Sequence, residues 1–108
     1  MITLEAVKIE AVKTVLRLRP IVKNSDSGHG WFRVPFMALV ALGIDNRISG
    51  YSYISNDGRD VWLEEDYDAA VFFNALTAAG IDKPPVMAVY RDGQSEIRLL
   101  ASCAGGLA

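Results

Sequence analysis

The pattern of apolar and polar residues along the chain predicts a small α+β domain built on an antiparallel sheet. Residues 12–23 alternate with period two, which is typical of a half-buried strand. Residues 1–11 fit a strand or a helix equally well. Further strands are predicted at Trp31–Val34, Tyr51–Ser55, Val61–Leu63, Val86–Arg91 and Glu96–Ala101. Because Val86–Arg91 is almost continuously apolar, we expect it to be a central strand of the sheet.

Two helices separate the predicted strands. The first, Phe36–Leu42, has no polar side chain on any face, so it must be covered by its own domain or by a partner. The second begins near Asp66, a good N-cap residue, and runs to about Ala79. Each helix is followed by Gly-Ile-Asp. In both copies the glycine can end the helix and the isoleucine can fold back onto its last turn.

These elements give the predicted order ββαββαββ in a single domain over residues 1–103, with a flexible tail at 104–108. Asn56-Asp57-Gly58-Arg59 predicts a type I′ hairpin turn, and Asp92-Gly93 predicts a second tight turn. The unit helix, Gly-Ile-Asp, strand, Asp-Gly turn, strand occurs twice. Either the domain contains an internal αββ pseudo-repeat, or two capped helices that each precede a hairpin look alike through shared physics.

Composition narrows the function classes. A formal net charge of -2 over 108 residues gives no reason to expect direct nucleic-acid binding or membrane recruitment. The longest apolar run, roughly Val34–Ile44, is far shorter than the ~20 residues that span a bilayer. The N-terminus lacks the pattern of a signal peptide. The single cysteine, Cys103, excludes an internal disulfide and fits a cytoplasmic compartment.

An acidic segment, Leu63–Asp68, holds four carboxylates, those of Glu64, Glu65, Asp66 and Asp68. One interpretation is helix initiation, since carboxylates favour the positive end of a helix dipole. That interpretation accounts for Asp66 and Asp68 and leaves Glu64 and Glu65 as additional charge. The other interpretations are a negative surface for a basic protein partner and an acid/base or metal site.

The only histidine, His29, lies between two glycines and precedes Trp31. A small hydrolase could use His29 with Glu64, Glu65 or Asp66 as its acid/base group. The simpler interpretation is a loop histidine that packs beside Trp31. One histidine and one distant cysteine are too few for a zinc site, so no metal is expected, and no cofactor motif is present.

Two further groups of residues point to surfaces. Tyr51, Tyr53 and Trp62 are predicted to face one another across the 56–59 hairpin, either as sheet-stabilising pairs or as an interface hot spot. The basic residues of the first predicted strand are either a solvated edge or a phosphate-contacting face: Lys13, Arg17 and Arg19. A homo-oligomer could pair that basic face with the acidic segment of a neighbour.

Three segments carry a resemblance: Gly28-His29-Gly30-Trp31 with Val34-Pro35, then Ile48–Tyr53, then Leu63–Asp68. Together they resemble a group of small uncharacterised proteins from bacterial plasmids, phages and prophages, over roughly residues 28–75. In that group the position of Tyr67 is commonly cysteine, and this departure argues against a thiol-based role. The resemblance implies a mobile-element accessory protein of the bacterial cytoplasm, and it implies no activity.

The function predicted from the sequence is a non-enzymatic protein-interaction module. Its surface combines aromatic and acidic residues: Tyr51, Tyr53, Trp62, Glu64, Glu65, Asp66 and Asp68. If the mobile-element resemblance holds, an anti-defence inhibitor of the anti-CRISPR type is expected, because an acidic surface can occupy a basic nucleic-acid groove. The alternatives are the small hydrolase and a homo-oligomeric structural protein.

Overall fold

The structure, a computed structural model, describes residues 2–103, and the predicted tail at 104–108 lies outside the described residues. Its helices are α1 (Leu4–Leu18), α2 (Phe36–Ala41) and α3 (Asp68–Ala78). Its strands are β1 (Ile21–Ser25), β2 (Gly30–Pro35), β3 (Tyr53–Ile54), β4 (Asp60–Glu64), β5 (Val86–Tyr90) and β6 (Ala101–Ser102). Short 3-10 turns lie at Asp45–Arg47 and Glu96–Leu99.

The six strands form one sheet in the order β5-β1-β2-β4-β3-β6. Every neighbouring pair is antiparallel except β1 and β5, which run parallel. The predicted α+β class is therefore confirmed. The pseudo-repeat is not found, because β3 and β4 pair with each other after α2, whereas β5 and β6 lie at opposite edges of the sheet after α3.

The prediction of a strand over residues 12–23 is wrong, since most of that segment belongs to α1. The alternation was misleading because Val12 and Leu16, which are buried, are also spaced as one face of a helix. The Thr3 hydroxyl caps this helix by accepting a hydrogen bond from the Ala6 amide over 3.1 Å. The helix ends before Pro20, because a proline disfavours helical backbone in the preceding residue.

The basic face predicted for that first strand is consequently absent. Lys13 and Arg17 lie on α1, and Arg19 lies just beyond it, where its guanidinium pairs with the Asp60 carboxylate of β4. This ion pair ties the end of α1 to the sheet. The homo-oligomer hypothesis that used a basic strand face loses its stated basis.

All three helices pack on one face of the sheet. The buried cluster joins Val12 and Leu16 of α1, Ala38 and Leu39 of α2, and Phe72 and Leu76 of α3 to the strand residues Ile21, Val34, Val61 and Leu63. Since side chains alternate along a strand, the intervening residues of the strands point to the opposite face. That second face, here called the open face, carries none of the three α-helices.

Strand registers define the open face. One row across it consists of Met87, Val22, Arg33, Trp62 and Tyr53, with Ser102 at its far end. A second row includes Val89, Asn24, Trp31 and Glu64. The chain from Arg91 to Leu100 crosses from the β5 edge towards β6 and brings Arg98 over the Trp31 ring, with Cζ 5.2 Å from the ring centroid. This segment therefore covers the Trp31 end of the open face.

Two strand predictions near the C-terminus are wrong. β5 is an edge strand rather than a central one, and four of its five residues are exposed. Most of Glu96–Ala101 forms a 3-10 turn that buries Ile97 and leaves Leu99 exposed, so these two side chains do not share a face. The segment turns because the Ser95 hydroxyl accepts a hydrogen bond from the Ile97 amide at 3.3 Å and caps it.

The predicted helix endings are confirmed. Gly43 and Gly80 have φ values of 71° and 73°, and the Ile44 and Ile81 amides donate to Leu39 and Leu76 carbonyls at 3.0 and 2.9 Å. The type I′ turn is wrong: Gly58 is the only residue of 56–59 with positive φ, whereas that turn needs two. The Asp57 carboxylate instead accepts hydrogen bonds from the Ser55 hydroxyl and the Arg59 amide.

The all-apolar helix α2 is not covered on all sides. Ala38 and Leu39 are buried, whereas Met37 is 62% exposed and Val40 is 40% exposed. Within residues 2–103 the domain therefore covers this helix only in part, and cover by a partner, the other predicted alternative, stays a prediction. These two side chains form a small apolar area on the outer side of α2.

Candidate functional site

A cavity of about 450 Å³ lies where the 26–29 loop, the start of β2 and the end of β4 meet. We call it the aromatic–acidic cavity. Rings and charged groups share its wall, and together with Gly50 they are His29, Trp31, Tyr51, Tyr53, Tyr67, Glu64, Asp66 and Arg98. The two sequence segments that carry the candidate chemistry, at His29 and at the acidic segment, thus meet in space.

The aromatic wall is built around Trp31, which is only 2% exposed. The His29 ring stacks beside it with centroids 6.0 Å apart, and the Tyr53 ring meets it edge-on at 6.3 Å. Tyr51 and Tyr67 are 80% and 61% exposed. The cavity therefore has a buried aromatic floor and two exposed tyrosine side chains available to a ligand.

Asp26 holds the histidine side of the cavity in place. Its carboxylate accepts hydrogen bonds from the Gly28 and His29 amides at 2.9 and 2.8 Å and from the Ser95 amide at 2.8 Å. It also accepts from Arg98 Nε and Nη2 at 3.0 and 3.1 Å. These donors, the Arg98 guanidinium first among them, hold the pKa of Asp26 well below its usual range.

Arg98 connects this anchor to the ring of His29. Its Nη2 lies 3.0 Å from His29 Nδ1, and because a guanidinium can only donate, Nδ1 accepts in this contact. The bond to Asp26 raises the pKa of Arg98, so the guanidinium keeps its charge. Arg98 therefore orients the imidazole, and His29 Nε2 is the ring nitrogen not used in this contact.

On the acidic side, Glu64 caps helix α3. Its carboxylate accepts hydrogen bonds from the Asp66 amide at 2.9 Å, the Asp68 amide at 2.7 Å and the Tyr67 amide. The prediction that Asp66 is the N-cap is wrong, because the chain turns one residue later and the helix begins at Asp68. Asp66 is exposed and leaves a carboxylate at the cavity.

Asp68 is fully buried. It accepts hydrogen bonds from the Ser49 hydroxyl and amide at 2.7 and 3.1 Å and from the Ser52 hydroxyl at 2.5 Å. The Ser52 hydroxyl in turn accepts from the Glu64 amide at 2.9 Å. Asp68 therefore ties the 49–52 loop to the start of α3, and it is not available at the surface predicted to bind a partner.

The other predicted residues divide between the cavity and the rest of the surface. Glu65 turns towards β1, where its carboxylate lies 3.8 Å from Lys23 Nζ, and it does not line the cavity. Trp62 is in register with Tyr53 on the open face, next to the cavity but outside its wall. The cavity thus brings together His29, Tyr51, Tyr53, Glu64 and Asp66.

Sequence reasoning missed Gly50 and three side chains of the wall, those of Trp31, Tyr67 and Arg98. Trp31 and Tyr67 belong to the same motifs as predicted residues, since Trp31 is two positions after His29 and Tyr67 directly follows Asp66. Arg98 carries no sequence signal, since it lies 69 residues from His29 and on an unremarkable segment. Its role comes from the crossing of the sheet by the chain that precedes β6.

The exposed groups of the cavity, which are the rings of Tyr51 and Tyr67 and the carboxylate of Asp66, suit the binding of a cation. The Trp31 face is already covered by the Arg98 guanidinium. Aromatic faces and carboxylates both attract ammonium and guanidinium groups. Among residues 2–103 no group of three or more histidine, cysteine, aspartate or glutamate side chains is arranged to hold a metal ion. The described helices also include none with the length and hydropathy to cross a bilayer.

No protein-family model, curated protein or solved structure matches this chain.

Proposed function

We propose that this protein is a non-enzymatic interaction module that binds a basic segment of a partner protein at the aromatic–acidic cavity. The observation that carries the proposal is the position of two exposed tyrosines, Tyr51 and Tyr67, at a cavity that also holds the Asp66 carboxylate. Tyrosine is enriched at protein interfaces, because it offers a large contact area and a polar tip. A lysine or arginine side chain is complementary to this combination.

The wider role that we propose is that of a mobile-element accessory protein in the bacterial cytoplasm, and specifically of an anti-defence inhibitor. Support comes from the resemblance of the motifs in residues 28–75 and from the acidic segment. A target that binds nucleic acid would present a basic groove, and the exposed carboxylate of Asp66 at the cavity would meet it.

A pull-down from bacterial lysate, read by mass spectrometry, tests the binding proposal. The variant Asp66→Lys combined with Tyr51→Ala changes the cavity without touching the Glu64 cap. Glu65→Lys is the matched control, because it reverses the adjacent charge outside the cavity wall. We expect a stoichiometric partner that the control retains and the double variant loses. Retention by the double variant, or no captured protein with any form, would contradict the proposal.

A small hydrolase remains the second candidate, because His29, Glu64 and Asp66 line one cavity. In such an enzyme the Asp66 carboxylate would take a proton from a water molecule. His29 Nε2, which carries the ring proton while Nδ1 accepts from Arg98, would donate a proton to the leaving group. The wall contains no serine, threonine or cysteine that could act as a nucleophile. Screening ester and phosphoester substrates with the native protein and with His29→Ala tests this candidate: turnover that the variant loses would support it.

A further inference from the structure

Strand β5 presents an unprotected edge. Its sequence, Val86–Tyr90, contains no charged residue, and Met87, Val89 and Tyr90 are 66%, 46% and 65% exposed. Within residues 2–103 it pairs with β1 alone, so its outer side has no strand beside it. Soluble proteins usually protect such an edge with charges, prolines or a covering segment, because a free apolar edge recruits another strand. This edge therefore needs an occupant.

The last hydrogen bond between β5 and β1 shows which backbone groups of β5 face β1 and which face outward. The Arg91 amide donates to the Ser25 carbonyl over 2.8 Å. Since successive backbone groups of a strand point to opposite sides, the amides and carbonyls of Met87 and Val89 also face β1. Those of Val86, Ala88 and Tyr90 consequently face outward.

We propose that β5 pairs antiparallel with β5 of a second copy of this chain, about a two-fold axis at Ala88. In this register Ala88 lies opposite Ala88, and Val86 lies opposite Tyr90 of the second copy. All the outward amides and carbonyls of the strand then find partners in hydrogen-bonded pairs. The two sheets join into one, and the edge disappears in a closed dimer.

The neighbouring symmetric registers are worse. An axis at Met87 would place Lys83 opposite Arg91 of the second copy, a like-charge contact, and Tyr90 opposite Pro84, which has no amide proton to donate. An axis at Val89 would place Met87 opposite Arg91, and it would leave Val86 to pair with Asp92, beyond the end of the strand. Of these three axes, only the one at Ala88 pairs every residue of β5 with a residue of β5 in the second copy.

Charge complementarity favours a second copy over an unrelated strand. A cavity of about 660 Å³ adjoins the start of β5, and its wall includes Pro84, Pro85, Lys13, Arg17 and Asp82. In the proposed register the residues that follow β5 in the second copy, Arg91 and Asp92, lie opposite Pro85 and Pro84. The Asp92 carboxylate of the second copy would thus approach the two cations of this wall, Lys13 and Arg17, whereas Arg91 keeps its ion pair with Glu96 of its own chain. The two-fold axis repeats this match at the other end.

The molar mass in solution tests the proposal, measured by light scattering from about 1 µM to about 200 µM because dimers dissociate on dilution by mass action. We expect the native chain to form a dimer that Ala88→Lys and Ala88→Glu each convert to monomer, since either variant places two like charges at the axis. An equimolar mixture of the two variants should recover the dimer, because opposite charges then face each other. Leu99→Lys, at an 87% exposed site away from β5, is the control that should remain a dimer.

Three outcomes would overturn the proposal: a native chain that is monomeric throughout this range, a dimer that Ala88→Lys leaves intact, or variants that remain monomeric when mixed. Near-ultraviolet circular dichroism of each variant shows whether it is folded before its mass is interpreted. Should either charged variant prove unfolded, Ala88→Pro replaces it. That substitution removes only an outward amide proton and no bond to β1, and it should likewise give a monomer.

Discussion

Asp26 and Arg98, which are 72 residues apart in the chain, form a bidentate ion pair. Arg98 Nε lies 3.0 Å from Asp26 Oδ2, and Arg98 Nη2 lies 3.1 Å from Asp26 Oδ1. The pair connects the loop that presents His29 to the segment that covers Trp31. It therefore couples the shape of the aromatic–acidic cavity to the docking of the C-terminal part of the chain. Planar, paired contacts of this kind are specific to arginine, and a lysine would not replace them.

Replacing Asp26 with asparagine should weaken this region and change its response to acid. Because folding lowers the pKa of Asp26, its contribution to stability is complete above the unfolded carboxyl pKa of about 3.9 and is lost as the pH falls below that value. We expect Asp26→Asn to be less stable than the native chain near neutral pH. The difference should shrink as the pH falls below about 3.9.

Tryptophan fluorescence during urea unfolding at several pH values checks this expectation, since Trp31 lies under Arg98. Arg98→Lys is a useful second variant, because it retains the charge but loses the paired geometry. A stability difference between Asp26→Asn and the native chain that stayed constant down to the lowest pH would contradict the role given to this carboxylate.

Asp68→Ala should destabilise the fold by at least about 2 kcal/mol. The substitution leaves the buried Ser52 hydroxyl and both donors of the partly buried Ser49 without their acceptor, and an unsatisfied buried donor costs roughly 1–3 kcal/mol. Asp66→Ala is the matched control, because it removes a carboxylate two residues away that is exposed, and such surface changes cost within about 0.5 kcal/mol. Urea denaturation of the two variants measures the difference, and equal losses would show that Asp68 does not have the structural role described here.

The ending of helix α3 gives a prediction about glycine. Gly80 has φ 73°, and a β-carbon there would meet no atom within 4 Å, so the cost of a substitution is conformational rather than steric. We expect Gly80→Ala to lower the free energy of unfolding by about 1 kcal/mol. Gly80→Asn should cost less, because asparagine adopts the left-handed conformation more readily. Thermal unfolding of the two variants orders them, and an alanine variant as stable as the native chain would contradict this account.

The helix endings, the second and third helices and four strand locations could be predicted because their signals are local. Gly43-Ile44 and Gly80-Ile81 specify their own backbone, and no distant contact is needed to interpret them. The errors fall where local patterns fit two structures. Val12 and Leu16 suit the period of a strand and that of a helix, and only the capping Thr3 and the following Pro20 separate the two.

Other features depend on tertiary placement and carry no local signal. The apolar run of β5 is typical of a central strand, yet this strand lies at an edge, where a second chain could cover it. For the cavity, His29 and the acidic segment could be identified from the sequence as separate candidates. Their proximity could not be predicted, because nothing in the sequence gives the distance between them. The burial of Asp68 could not be predicted either, since the sequence of an acidic segment does not indicate which of its carboxylates is buried.

Cys103 provides a chemical measure of whether the C-terminal strand is in place. The thiol is buried, and its amide donates to the Ser52 carbonyl over 2.9 Å, next to the Asp68 network. Burial, with a smaller contribution from the Asp68 charge, raises the pKa of Cys103 to about 11.

Since the thiolate is the reactive form, we expect little reaction of Cys103 with a disulfide reagent at about pH 8 until the chain opens. The denatured protein should react at once with one equivalent of the reagent. The Cys103 thiol should react faster in Asp68→Ala than in Asp66→Ala. The raised pKa also means that this group favours the folded state below the ordinary thiol pKa and ceases to do so as the pH rises towards 11. Immediate and complete labelling of the native protein would show that the strand and its cysteine are not held as described.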